Sequence, residues 1–327
     1  MKRQNIFFTL LISIAILSCG KKDEIAEVAV DSIPLKQKVV TGYFEGKDRV
    51  NLFIKMQGKG EPLIVLPGGP GYSFEYLQPY LSQLDSHFQL IFLDPRGCGK
   101  SDILADPSKY TLDNMVADVE SLKSTLQLKS FNLLAHETGT FVAQKYVIKN
   151  PGHVNKMILM SSTAQIFDLN MWLNGFRDFM PRATAVVIKK YEQDSMYVDE
   201  QYNLGYEQTV MSGILTQGYF FNPTLIPADF TLPEKSWDVY NTIWGRGGYF
   251  NITGNISDFD TREQLQTVNV KTLVMCGQHD YFAPFVMETL VGAIPSADMY
   301  VFENAAHFFY IEKHDEFIEK IKEFLKK

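Results

Sequence analysis

Cysteine is scarce in this chain. There are three in 327 residues, Cys19, Cys98 and Cys276, and none falls in a Cys-x-x-Cys or other metal-ligand spacing. That excludes a thiolate metal centre and a dense disulfide framework. Cys98 and Cys276 read as two buried thiols, with a disulfide between them as the alternative. No metal site and no cofactor is expected. Past the first residues, no apolar run is long enough to cross a bilayer. There are no repeats and no low-complexity tracts. Positive charge is in deficit, with a net charge of −7, so a nucleic-acid partner is not expected. Gly99-Lys100-Ser101 has the tail of a phosphate-binding loop, but Asp94 stands where that loop needs its first glycine. Gly-x-Ser-x-Gly is also missing throughout.

What is present begins with a leader. Lys2 and Arg3 precede an almost unbroken apolar run over residues 6–17, which ends at Ile16-Leu17-Ser18-Cys19. This resembles a bacterial lipobox, with residues 1–18 removed and Cys19 lipidated; the alternative is an ordinary secretory signal with a chance cysteine. Cleavage would remove two cations and no acid, taking the charge from −7 to −9. The Lys21-Lys22-Asp23-Glu24 run reads either as a surface-export signal or as a charged tether. The expected location is the bacterial cell envelope, with the protein anchored through lipid, in the outer membrane by preference. Residues 19–37 read as the linker.

From residue 38 the pattern is that of alternating strands and helices. Residues 39–44 and 51–55 alternate apolar and polar and predict a hairpin. Apolar runs at 63–66, 90–93, 131–134, 157–160, 272–275 and 299–302 predict strands buried on both faces. Helices are expected at 73–84, after Thr111, after the fifth strand, at 284–291 and at the end of the chain. The alternation stops at about residue 164 and resumes after about 262. The stretch between, rich in aromatics, reads as an inserted helical cap. The core is then 38–163 and 263–327, an α/β fold with a mostly parallel, doubly wound sheet.

One segment organises the rest. Ala135-His136-Glu137-Thr138-Gly139 follows a strand and opens a helix, with small residues two places either side of Glu137. That is the form of a nucleophile elbow, in which the middle side chain is thrust into the active site. Asp280 and His307 each lie just past a later strand, so all three positions fall at the carboxyl edge of the sheet, where ligands bind in such folds. Nucleophile, acid, histidine is the chain order of a hydrolytic triad. His307 would act as base and acid, and Asp280 would fix its tautomer. Oxyanion donors would be the amides of Thr138 and Gly69. His136 is expected to pack beneath the elbow.

Pro67-Gly68-Gly69-Pro70-Gly71 resembles the His-Gly-Gly-Pro-Gly loop of proline iminopeptidases, and Asp94-Pro95-Arg96-Gly97-Cys98-Gly99-Lys100-Ser101 resembles their Asp-x-Arg-Gly-x-Gly-x-Ser segment. Ile256-Ser257-Asp258-Phe259-Asp260 is similar to the segment where their cap rejoins the core. The resemblance implies an α/β-hydrolase fold and a small-molecule or short-peptide substrate. By the same resemblance, cap acids Glu192, Glu200 and Glu207 are candidates to receive a substrate amine; the alternative, preferred for most of them, is a solvated helix face. Three positions depart from the family: Pro67 for His, Thr138 for Trp, and Glu137 for the nucleophilic Ser.

Glu137 has three readings. It is a nucleophile, as Asp is in the epoxide hydrolases and haloalkane dehalogenases of this fold; an epoxide hydrolase would need cap tyrosines as proton donors, for which Tyr191, Tyr197, Tyr202, Tyr206, Tyr219 and Tyr240 are candidates, with packing as their alternative role. It is a general base. Or it pairs with protonated His307, and the protein is an inactive relative that binds a ligand. The sequence leads to a hydrolase acting on a small ester, amide, peptide or epoxide through Glu137, His307 and Asp280.

Overall fold

Eight strands form one sheet in the order β1-β2-β4-β3-β5-β6-β7-β8. They are β1 Val40–Glu45, β2 Asn51–Gln57, β3 Glu61–Leu66, β4 Phe88–Leu93, β5 Phe131–His136, β6 Val154–Met160, β7 Lys271–Gly277 and β8 Ala297–Phe302. The computed structural model describes residues 39–193, 205–206, 208–210, 213, 218–232 and 234–326. The leader, Cys19, and Tyr197, Glu200, Tyr202 and Glu207 lie outside the described residues.

The β1–β2 hairpin and the β2–β4 pair are antiparallel, and from β4 to β8 every pair is parallel. The parallel strands are apolar on both faces because helices cover both. Leu63, Ile64, Val65, Leu90, Ile91, Phe92, Leu133 and Leu134 have no exposed surface. β3 has β4 on one side and β5 on the other. Connections after β3 and β5 therefore leave in opposite directions and open a crevice at the carboxyl edge.

Helix α1 is Gln78–Leu81, α2 Leu112–Thr125, α3 Thr138–Lys149, α4 Ile166–Phe179, α5 Arg182–Gln193, α6 Trp237–Ile243, α7 Arg262–Leu265, α8 Pro284–Ala293, α9 Phe309–Glu312 and α10 His314–Lys326. Thr111 caps α2 as its sequence implied, its hydroxyl accepting from the Asn114 amide at 3.2 Å. The helix expected over 73–84 is broken into a 3-10 turn at Phe74–Tyr76, α1, and a second 3-10 stretch at Ser82–Ser86. Pro79 explains the break: it lacks an N–H and is tolerated only in a first turn, so the helix restarts there.

Between β6 and β7 the chain runs through α4 to α7 with no regular strand among the described residues. It leaves and returns at one point. Gln165 and Asp260 form an isolated antiparallel bridge, and the Thr261 amide donates to the Ala164 carbonyl at 2.9 Å. Cys98 and Cys276 are both buried and unbridged, so the disulfide between them does not form. Burial pushes both thiols well above the ordinary range, which leaves them as packing residues.

Candidate active site

β5 ends at His136, and the chain turns at Glu137 with φ 44° and ψ −120° before α3 begins. A side chain in that conformation is strained, and the packing around it fixes the turn. The Glu137 amide donates to the Met160 carbonyl at 3.0 Å, and the Thr140 amide donates back to the Glu137 carbonyl at 2.8 Å. Gly139 is small for a direct reason. A Cβ there would lie 2.5 Å from the Pro67 carbonyl oxygen.

Four strand ends supply the polar groups. Glu137 follows β5, Ser161 follows β6, Asp280 follows β7 and His307 follows β8. His307 Nε2 lies 2.8 Å from Glu137 Oε1, and His307 Nδ1 lies 2.9 Å from Asp280 Oδ1. Asp280 is held in turn: the Phe282 amide donates to Oδ1 at 2.9 Å and the Ser161 hydroxyl to Oδ2 at 2.6 Å. The three residues that the sequence placed at one edge are therefore joined in a buried relay. Their side chains are at most 8% exposed.

The glycine loop after β3 completes the surround. The Gly69 amide donates to Glu137 Oε2 at 2.7 Å, a close approach that the positive φ of Gly69, 128°, permits. Gly68 must also be glycine, since a Cβ there would sit 2.6 Å from Oε2. The amide expected to donate to an oxyanion is thus engaged by Glu137. Thr138 is buried at the start of α3, and its hydroxyl has no hydrogen-bond partner.

Tyr281 was missed in the sequence. Its hydroxyl donates to Glu137 Oε1 at 2.9 Å. Its position directly after Asp280 was the available signal. Ser161, at the end of β6, was missed too. His136 does pack under the turn, as expected, with its ring 4.9 Å from that of His307 and its Nδ1 2.8 Å from the Tyr76 hydroxyl.

The electrostatics follow from this packing. Burial raises the Glu137 carboxyl, but the hydrogen bond and charge of His307 outweigh it and hold the group well below the ordinary range. Burial lowers His307, yet Asp280 and Glu137 together hold it above the ordinary range, at about 9. Near neutral pH the pair is an imidazolium and a carboxylate. For His136 burial outweighs the pull of Glu137 and Asp280 and brings it down to about 3, which keeps it neutral.

Glu137 opens into a narrow cavity of about 20 Å³ walled by Gly69, Tyr72, Tyr219, Lys235, Tyr240 and Tyr281 among others. That is room for roughly one water. Tyr219 stacks on His307 with centroids 5.3 Å apart, and its carbonyl accepts from the Phe308 amide at 3.0 Å. Lys235 is buried over the Tyr249 ring at 4.3 Å and bonded to its hydroxyl. Glu192, a candidate for receiving an amine, is instead paired with Arg177 at 2.5 Å and Tyr206 at 2.9 Å.

The family model described as the alpha/beta hydrolase fold matches residues 61–314. The chain belongs to that family. Within it, a proline iminopeptidase of Heyndrickxia coagulans is 30% identical over 275 residues, which cover 82% of this chain and 91% of that one. A proline iminopeptidase of Lactobacillus crispatus (strain ST1) is 27% identical over 293 residues, 86% and 96% of the two chains. The crystal structure of proline iminopeptidase from Mycobacterium smegmatis superposes with a TM-score of 0.74 at 20% identity, covering 88% of this chain and 98% of that one. The relatives of this α/β hydrolase are thus hydrolases.

Proposed function

We propose that this protein is a proline iminopeptidase-like hydrolase in which Glu137 stands in the place of the nucleophilic serine, with His307 and Asp280 behind it. The observation that carries this is the unequal hold on the two carboxylate oxygens. Oε2 accepts from the Gly69 amide, the oxyanion position, while Oε1 is bonded to His307 and to the Tyr281 hydroxyl, in a side chain that lines the cavity.

The chemistry narrows the substrate. A carboxylate that attacks an amide makes a mixed anhydride, higher in energy than the amide it came from. Opening an epoxide makes an ordinary ester. Among small esters, amides, peptides and epoxides, an epoxide therefore fits a nucleophilic Glu137 best. Glu137 Oε1 would bond to a ring carbon as the carbon–oxygen bond breaks, and the His307 imidazolium would give its proton to the departing oxygen. Esterification removes the Glu137 charge, so His307 is left neutral with one acid partner. It could then take a proton from the water that attacks Cδ, with the oxyanion forming on Oε2 at the Gly69 amide. The diol leaves and the imidazolium is restored. A direct general-base role fits less well, because at neutral pH the ion pair leaves neither group as a good proton acceptor.

A second reading has its own support. With donors on both oxygens of Glu137, the site is a closed ion pair, as in an inactive relative that binds a ligand. The test is hydrolysis of a panel of aminoacyl amides, short esters and epoxides by the purified protein beside Glu137→Ala and His307→Ala. Turnover lost in both variants supports the first reading. No turnover above either variant supports the second.

We also propose export and lipid anchoring at Cys19, on the strength of the charged start, the apolar run and the lipobox-like end. Labelled palmitate should enter the wild-type protein and not Cys19→Ala. Equal labelling of both would remove the proposal.

A further inference from the structure

His136 Nε2 is buried without a hydrogen-bond partner, and the residue has no exposed surface. An orphaned ring nitrogen of this kind calls for an explanation. Its neighbours supply one. Ligand atoms of His136, Glu137 and His307 all lie within 4.8 Å of one another. We propose that His136, Glu137 and His307 form a binding site for a divalent transition-metal ion of the zinc type.

The donor set is two imidazoles and one carboxylate, which suits zinc and leaves a fourth position open. Donors on a tetrahedral zinc ion stand roughly 3.3 Å apart at ordinary bond lengths. His307 and Glu137 are closer than that, at 2.8 Å, and all three donors lie within 4.8 Å of one another, so binding requires side-chain rotations that part the first pair and bring His136 onto the ion. The groups behind the ligands match as well. A ligating histidine normally bonds through its other ring nitrogen to a carboxylate or similar group. His307 has Nδ1 on Asp280 and His136 has Nδ1 on Tyr76. Ligation would select the tautomers in which both Nδ1–H groups donate, with the Tyr76 hydroxyl oxygen then accepting from His136 as well as from the Gly68 amide, and would leave both Nε2 lone pairs for the ion.

Charge points the same way. Glu137 and Asp280, 6% and 3% exposed, bring two carboxylates to one buried site. A divalent ion with both imidazoles neutral balances the two carboxylates, and buried charge is tolerated when it is matched. The inference goes beyond the hydrolase reading. An ion on Oε1 blocks the attack that Glu137 would make, so the metal-loaded and nucleophilic states exclude one another.

The test uses full-length, tag-free protein and zinc chloride alone, with magnesium as comparator, read by titration calorimetry and metal content. Substrate is absent, so failure of zinc binding leaves the hydrolase reading standing, and a protein that binds zinc but turns nothing over counts only against the latter. One zinc per chain is expected and no magnesium. His136→Phe keeps a ring in place, and Glu137→Gln keeps the side chain's shape. Each should weaken zinc binding by at least about tenfold, with folding checked by circular dichroism so that either variant can decide alone. No stoichiometric zinc on the wild type, or affinity unchanged in a folded variant, would overturn the proposal.

Discussion

Glu137 Oε2 lies 2.7 Å from the Gly69 amide nitrogen, the position an acyl oxyanion takes in a serine hydrolase. Atom for atom, the Cγ–Cδ–O of glutamate matches the Oγ–C–O of an acylated serine. The side chain fills the space of the group it would otherwise transfer.

Glu137→Ser should clear that space. The shorter hydroxyl would then stand beside His307 and Asp280, with the Gly69 amide left vacant for an oxyanion. A fluorophosphonate probe should label the variant and not the wild type. Short aryl esters should turn over about a hundredfold faster in the variant than in the wild type. Labelling of the wild type would mean that another nucleophile serves the site.

The ion pair should shape the pH dependence of stability in metal-free protein. His307 is raised from 6.5 to about 9. Its contribution is therefore full below about 6.5 and is lost as pH climbs to about 9. A rise of that size corresponds to roughly 3 kcal/mol. Glu137 is lowered, so its contribution is present above its unfolded value of 4.5 and is lost as pH falls through the lower folded value. Denaturant melts in EDTA should show a plateau near pH 5 to 6 and an alkaline decline. Glu137→Gln removes one of the two acid partners, so its decline should start at the same pH but be smaller and end at lower pH. An unshifted alkaline limb would separate His307 from Glu137.

Tyr281→Phe deletes one donor to a buried carboxylate. The expected cost is about 1.5–3 kcal/mol in urea unfolding. A loss below about 0.5 kcal/mol would show that this hydrogen bond is not formed in solution.

Much of this site could be read from the sequence because it hangs on strand ends. Apolar runs located β5, β7 and β8, and the residues just past them, Glu137, Asp280 and His307, had to meet at one edge. Glycine spacing located Gly69. What could not be read was the state of the site. Whether Glu137 faces the Gly69 amide across a gap or bonds to it depends on a side-chain rotation that leaves no periodic trace. Tyr281 and Ser161 look like ordinary residues in sequence, and only the folded chain places their hydroxyls on the two carboxylates. Pro79 was a visible breaker within the helix expected over 73–84, but the apolar spacing on either side concealed it.

The Asp-Pro-Arg-Gly segment turns out to be structural. Arg96 has no exposed surface and grips Asp118 with two bonds of 2.7 Å, while its guanidinium also donates to the Lys47 and Lys109 carbonyls. Arg96→Ala strands a buried carboxylate and should cost about 3–5 kcal/mol. A melt within about 0.5 kcal/mol of wild type would mean that water or another cation reaches Asp118.

The most direct measurement is a single turnover of an epoxide substrate in ¹⁸O-labelled water, with protein in excess and both the diol and the Glu137 peptide weighed by mass spectrometry. If Glu137 is the nucleophile, water cleaves the ester at Cδ. One ¹⁸O should then appear in the Glu137 side chain, and the diol should carry unlabelled oxygen. Label in the diol alone, with Glu137 unchanged, would contradict the nucleophilic role.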